Sequence, residues 1–172
     1  MPTFIPLKKK SQFDSDIKKR YRASACGPVT AYAILDHFFP NQFQNINTLY
    51  RALGGTPIGL FTYRFIRNLS KLLGDDWLVE KCSMEEMKKQ IDAGHPVAAK
   101  FDKWFTWHWR GHYSYDYHWV AVIGYEERES GLWLFVHDNG GRNRPCQVQV
   151  LPYEPNAEIL TFVKIEKSRS IC

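Results

Sequence analysis

Three side chains, far apart in this sequence, have the chemistry to act together. Cys26 stands in Ala25-Cys26-Gly27-Pro28-Val29-Thr30, which opens a stretch of apolar residues at helical spacing. His118 opens the apolar run His118-Trp119-Val120-Ala121-Val122-Ile123-Gly124-Tyr125. Asp138 closes the next run, Val136-His137-Asp138, just ahead of Asn139-Gly140-Gly141. A thiol nucleophile needs a base to take its proton and a third group to orient that base. A cysteine at a helix start has a further advantage, because the unpaired amides and the positive end of the helix dipole favour the thiolate. Gly27 lets the backbone approach a substrate closely, and the Cys26 amide could help hold an oxyanion. Each residue also has a plainer reading. Cys26 would serve as a small buried thiol, His118 as a core ring bonded to a carbonyl, and Asp138-Asn139-Gly140-Gly141 as a turn.

The surrounding pattern predicts the elements that would carry these groups. Residues 28–39 form a helix candidate with Val29, Tyr32, Ala33 and Leu35 facing inward; Pro28 suits the first helical position and Pro40 lies past the end. Further helices are predicted over 47–53, 61–73 and from Ser83 to a stop at Gly94, the last with the capping-box pair Ser83 and Glu86. Strands are predicted over 77–81, 97–101, 118–126, 132–138, 147–151 and 159–165. Residues 2–24 read as an irregular arm with Pro2 and Pro6 as breakers. Helices first and a largely antiparallel sheet second make an α+β layout in a single domain. In that layout a hairpin brings Asp138 back beside His118. Strand alternation turns His137 to the opposite face.

Composition narrows the classes. A chain of 172 residues with 44% hydrophobic and 24% charged residues can bury a core in one domain. The net charge of +5 comes with no groove-reading motif, so no nucleic-acid partner is expected; an acidic polymer or anionic surface stays open. Cys26, Cys82, Cys146 and Cys172 form no C-x-x-C pair, which speaks against a zinc ribbon or thioredoxin-like site and for reduced thiols. No apolar run approaches the roughly 18 residues of a membrane span. The N-terminus lacks the apolar core of a signal peptide, so the chain as it stands reads as cytoplasmic. A secreted mature domain is the alternative if the chain has been shortened.

The segments Ala-Cys-Gly-Pro-Val-Thr-Ala-Tyr, His-Trp-Val-Ala-Val-Ile-Gly-Tyr and His-Asp-Asn-Gly, in this order, resemble the papain-like cysteine peptidases. Among these they are most similar to the bacterial bacteriocin-processing (double-glycine leader) peptidases, family C-thirty-nine. The resemblance spans about residues 5 to 165. It implies a papain-like α+β fold: the nucleophile on a central helix, the histidine and acid on the sheet, and the substrate cleft between them. It also implies a glutamine upstream of the cysteine whose amide completes the oxyanion hole. Gln12 is the better match, although it precedes Cys26 by fourteen positions where six is usual; Arg20 stands at six. A looped insertion over 14–24 would reconcile the spacing. Asp138 matches the family's acid, and Asn139 could serve as the asparagine does in papain-type enzymes.

The expected activity is that of a thiol hydrolase cleaving a peptide or amide bond through Cys26, His118 and Asp138, without a cofactor. The same thioester chemistry would serve an acyltransferase. An inactive peptide-binding module is the reading outside enzymes. The aromatic stretch 101–117 leads into His118, and Trp104, Trp107 and Trp109 are the candidates for lining the substrate groove. His108 and His112, four apart, have metal-ligand spacing on a helix. Gly111 between them and the lack of a third ligand nearby argue against a metal. The oligomeric state is not legible.

Overall fold

Residues 26–35 include no Asp, Glu, Lys or Arg, and they become the buried axis of the molecule. The computed structural model describes residues 4–168. In it, helix α2 (Cys26–Phe38) is buried along its whole first part, from Cys26 to Leu35. It follows a short helix α1 (Lys19–Arg22) and precedes α3 (Ile46–Leu53) and α4 (Thr62–Leu73). Then come β1 (Trp77–Cys82), α5 (Met84–Asp92), β2 (Val97–Asp102), β3 (Tyr117–Arg128), β4 (Gly131–Asp138) and β5 (Gln147–Pro152). A 3-10 turn, Glu154–Ile159, leads into the last strand, β6 (Leu160–Lys167).

The strands form one antiparallel sheet in the order β1-β6-β2-β3-β4-β5. Its central strands are buried on both faces: every residue of β2 is buried, as is β3 from His118 to Gly124. Helix α2 packs against β3, with Phe65 of α4 stacked on Trp119 of β3 at 4.6 Å between ring centroids. The N-terminal arm runs back along the sheet, where the Ile5 amide donates to the Ile123 carbonyl and Phe4 meets Phe135 edge-on. The mixed helix and antiparallel sheet matches the α+β expectation.

Two local differences from the expected elements have simple causes. Helix α2 begins at Cys26, two residues before Pro28, because the first helical turn has amides without intrahelical partners and so tolerates proline within it. Residues 14–24, expected to be irregular, include helix α1, one turn long and without a buried side chain. Such a helix has no apolar periodicity to announce it. Pro2 and Cys172 lie outside the described residues. Among the described residues, no helix is long and apolar enough to cross a membrane.

Candidate active site

The ends of two sheet strands and the start of α2 meet in one place. Antiparallel pairing lays β4 against β3 with His137 opposite Ala121, and Asp138 one step further along comes beside His118. His118 Nε2 lies 2.9 Å from Asp138 Oδ1. The other ring nitrogen is left for Cys26, and the thiol and imidazole are near enough to shift each other's titration. Cys26, His118 and Asp138 are all buried, Asp138 completely.

Electrostatics follow from that geometry. Burial alone would raise the Cys26 thiol. The His118 hydrogen bond and charge outweigh it, helped by the backbone amides of Trp119 and Gly27, and the thiol falls below its ordinary value. Burial opposes charge on His118 too, but Asp138 and the Cys26 sulfur raise it to about 9. Asp138, against its own burial, is held down at about 2 by His118, Tyr115 and Arg144. The three groups thus favour a thiolate, an imidazolium and a carboxylate in a row. Cys82 and Cys146 show the contrast: burial pushes Cys82 up to about 12 and raises Cys146 as well.

Asp138 has more partners than the sequence suggested. Its Oδ1 also accepts from the Gly140 amide at 3.0 Å. Its Oδ2 accepts from Tyr115 Oη at 2.8 Å, from Gln149 Nε2 at 2.6 Å and from the Arg144 guanidinium. The Tyr115 ring also packs on the His118 ring, with centroids 4.9 Å apart. Tyr115, Arg144 and Gln149 were the functional neighbours that sequence reasoning missed. Arg144 follows the turn after Asp138, and Gln149 lies within the predicted strand 147–151. Asn139 does not face His118. Its Nδ2 donates to the Cys26 and Trp119 carbonyls, both at 3.0 Å, and to Thr30 Oγ1 at 2.9 Å, tying α2 to the sheet beneath the thiol. His137 lies on the other side of its strand, its Nε2 3.4 Å from Cys146 Sγ.

A cleft of about 420 Å3 opens over Cys26 and His118. Gln12, Ser24, Gly59, Tyr115, Tyr117 and Arg144 are among the residues that line it. Gln12 is buried there despite its distance in sequence. Residues 14–24 turn back on themselves, and the Gln12 amide donates to the Asn139 carbonyl at 3.2 Å. Its side-chain Nε2 donates to the Arg22 carbonyl at 2.9 Å. Arg20 is elsewhere, exposed and lying over the Tyr21 ring.

Two sets of expected substrate contacts lie outside the lining of this cleft. Gly27 does not line the cleft: a Cβ there would come within 2.8 Å of Leu60 Cβ and 3.2 Å of Trp119 Cδ1, so glycine serves helix packing instead. Its amide, however, points at the Cys26 sulfur. Trp104, Trp107 and Trp109 do not line the cleft either. Tyr115 and Tyr117, close to His118 in sequence, line it instead. Among the described residues, no set of three His, Cys, Asp or Glu side chains converges as metal ligands.

A buried thiol at the head of a central helix, facing an imidazole and a carboxylate on an antiparallel sheet, is the layout of the papain-like cysteine peptidases. The chain belongs to the Peptidase_C39 like family, whose model matches residues 5–161. No curated protein matches the sequence. Among solved structures, a C39-like peptidase from Bacillus anthracis aligns with a TM-score of 0.67 at 14% identity, over 98% of this chain and 100% of that one. The peptidase domain of Streptococcus ComA, a bi-functional ABC transporter involved in quorum sensing, aligns with a TM-score of 0.60 at 13% identity, over 95% and 99% of the two chains. A double glycine motif protease from an AMS/PCAT transporter, solved with its leader peptide, aligns at 0.59 and 10%, over 97% and 98%. At these identities the likeness is one of fold.

Proposed function

We propose that this protein is a cysteine peptidase that cleaves a peptide bond through a Cys26 thioester. The observation that carries the reading is that Cys26 and His118 line one open cleft, that His118 is hydrogen-bonded to Asp138, and that His118 draws the thiol below its ordinary value. The peptide as substrate class is supported by the leader peptide bound to the double glycine motif protease of similar fold.

The geometry supports each step. Asp138 accepts the hydrogen bond from Nε2–H, which leaves the Nδ1 of His118 for the sulfur and its proton. Cys26 Sγ attacks the carbonyl carbon, and the electron pair moves to oxygen. The Cys26 amide, unpaired in the first turn of α2, is one donor to that oxyanion. Gln12 supplies the second. A side-chain amide carries two N–H groups, and one of them already donates to the Arg22 carbonyl, which fixes the plane of the other. His118 then gives its proton to the leaving amine. In the second half it takes a proton from water, which attacks the thioester and frees the acid and Cys26.

The test is the rate of thiol alkylation by iodoacetamide at pH 6, followed residue by residue by mass spectrometry. Cys26 should react at least about ten times faster than Cys82 and Cys146, and His118→Ala should remove the difference. Equal rates for the three thiols would show that no activated nucleophile exists here.

A further inference from the structure

The tryptophans that leave the Cys26 cleft wall a second depression. It has a volume of about 340 Å3 and is lined by Trp107, His108, Trp109, Arg110, Tyr113 and Glu158, among others. It shares no lining residue with the cleft over Cys26. Its size is at the lower end of the range that holds small ligands, about 300–1,000 Å3.

Folding leaves large rings in water at this place. Trp107 is 75% exposed and Trp109 56%. Isolated exposed apolar residues are ordinary, but adjacent indoles are not. The two ring centroids are 5.2 Å apart and the planes tilt by 42°, so the indoles pack against each other and present their outer faces to solvent. Trp109 Nε1 donates to the Trp104 carbonyl at 2.9 Å, which anchors that ring by its edge and leaves its face free. Trp107 has a φ of 65°, a backbone conformation rare for a bulky side chain.

The rim of the same depression is polar and partly unsatisfied. The Glu158 carboxylate accepts from Tyr113 Oη and lies 3.4 Å from His108 Nε2. His108 Nδ1 is buried without a hydrogen-bond partner. Arg110 has no hydrogen bond or ion pair among the described residues.

We propose that this depression binds a saccharide ring of a glycan. A pyranose has an apolar C–H face and a rim of hydroxyls. The face matches the exposed Trp107 and Trp109 indoles, and the hydroxyls match a fixed carboxylate acceptor and a free guanidinium donor. An apolar peptide side chain would cover the indoles but leave Arg110 and Glu158 desolvated without new partners. A lipid surface would require the same burial of the Glu158 carboxylate, which is costly in a membrane.

The test uses the full-length chain with Cys26→Ala, so that no cleavage occurs. Fluorescently labelled protein is applied to an array of bacterial, plant and animal oligosaccharides. The best retained sugar is then titrated against intrinsic tryptophan fluorescence. Retention of at least one oligosaccharide is expected, with Trp107→Ala and Trp109→Ala each weakening binding about ten-fold or more. Trp109→Phe should keep most of it, and Arg110→Ala should weaken it several-fold. Trp107→Ala breaks no hydrogen bond, and a circular-dichroism melt would show whether each variant folds. No retained sugar, or binding indifferent to Trp107→Ala in a folded protein, would overturn the proposal. Binding to phosphatidylglycerol vesicles that depends on Trp107, with no sugar retained, would overturn it in favour of a membrane surface. Because Cys26 is absent throughout, loss of this site and loss of the peptidase reading are separate results.

Discussion

Asp138 carries a full charge at a place without solvent, and this is possible only because donors surround it. Its two oxygens are divided between tasks. Oδ1 serves His118 and the Gly140 amide, while Oδ2 serves Tyr115, Gln149 and Arg144. Arg144 is the only cation in that set apart from His118 itself. Its guanidinium takes a share of the carboxylate's field that would otherwise fall on the imidazole. Replacing it with glutamine should therefore leave His118 more basic than its value of about 9. An NMR titration of the His118 ring would read this directly: Arg144→Gln should titrate higher than the parent, and Arg144→Lys should stay near it. A lower value in Arg144→Gln would mean that Arg144 acts by aiming Asp138, which swings away from His118 once released.

Among the elements, the decisive contact is the head of α2 against β3. Gly27 permits it, and Asn139 locks it by reaching from the end of β4 to the Cys26 carbonyl and Thr30. Gly27→Ala would push a methyl group to within 2.8 Å of Leu60 Cβ and 2.9 Å of Leu60 Cδ2. Alanine's better helix propensity is worth about 1 kcal/mol. Overpacking a filled core costs about 1–3 kcal/mol, so a net loss of roughly 1 kcal/mol is expected, measurable by urea unfolding. Activity should fall further than stability, because the shift moves Cys26 relative to His118. A variant more stable than the parent would mean that Leu60 yields freely. This contact also marks what the sequence could disclose. Periodicity placed the strands within two residues, and Ser83 with Glu86 announced the cap that both side chains make. The strand order put His118 beside Asp138. Gly27 reads in the sequence as a close approach to a substrate; its closeness to Leu60 and Trp119 is not legible there, since separate elements bring them together. The same holds for Tyr115, Arg144 and Gln149. Their convergence on one oxygen depends on how a strand and two loops end, and no local spacing encodes that.

For the molecule as a whole, the site is coupled to the stability of the fold, since Cys26, His118 and Asp138 are all buried. Asp138 is held at about 2 in the folded protein, below the ordinary carboxylate range near 3.9. A group depressed in this way contributes stability at every pH above its unfolded value. That contribution drains away as pH falls from about 4 to about 2, because the unfolded chain takes up the proton first. His118 runs the other way. Being raised, it contributes fully below about 6.5 and loses its contribution as pH climbs toward about 9. The fold should thus be most stable between about pH 4 and pH 6.5. Asp138→Asn isolates the acid side: it removes the titrating group but keeps an amide of the same shape among the same neighbours. Urea midpoints measured from pH 7 to pH 2 should fall more steeply for the parent than for Asp138→Asn, and the two curves should converge near pH 2. Parallel curves across pH 4 to 2 would mean that Asp138 does not carry its charge in the folded protein. The proposed thiolate–imidazolium pair would then lose the carboxylate that supports it.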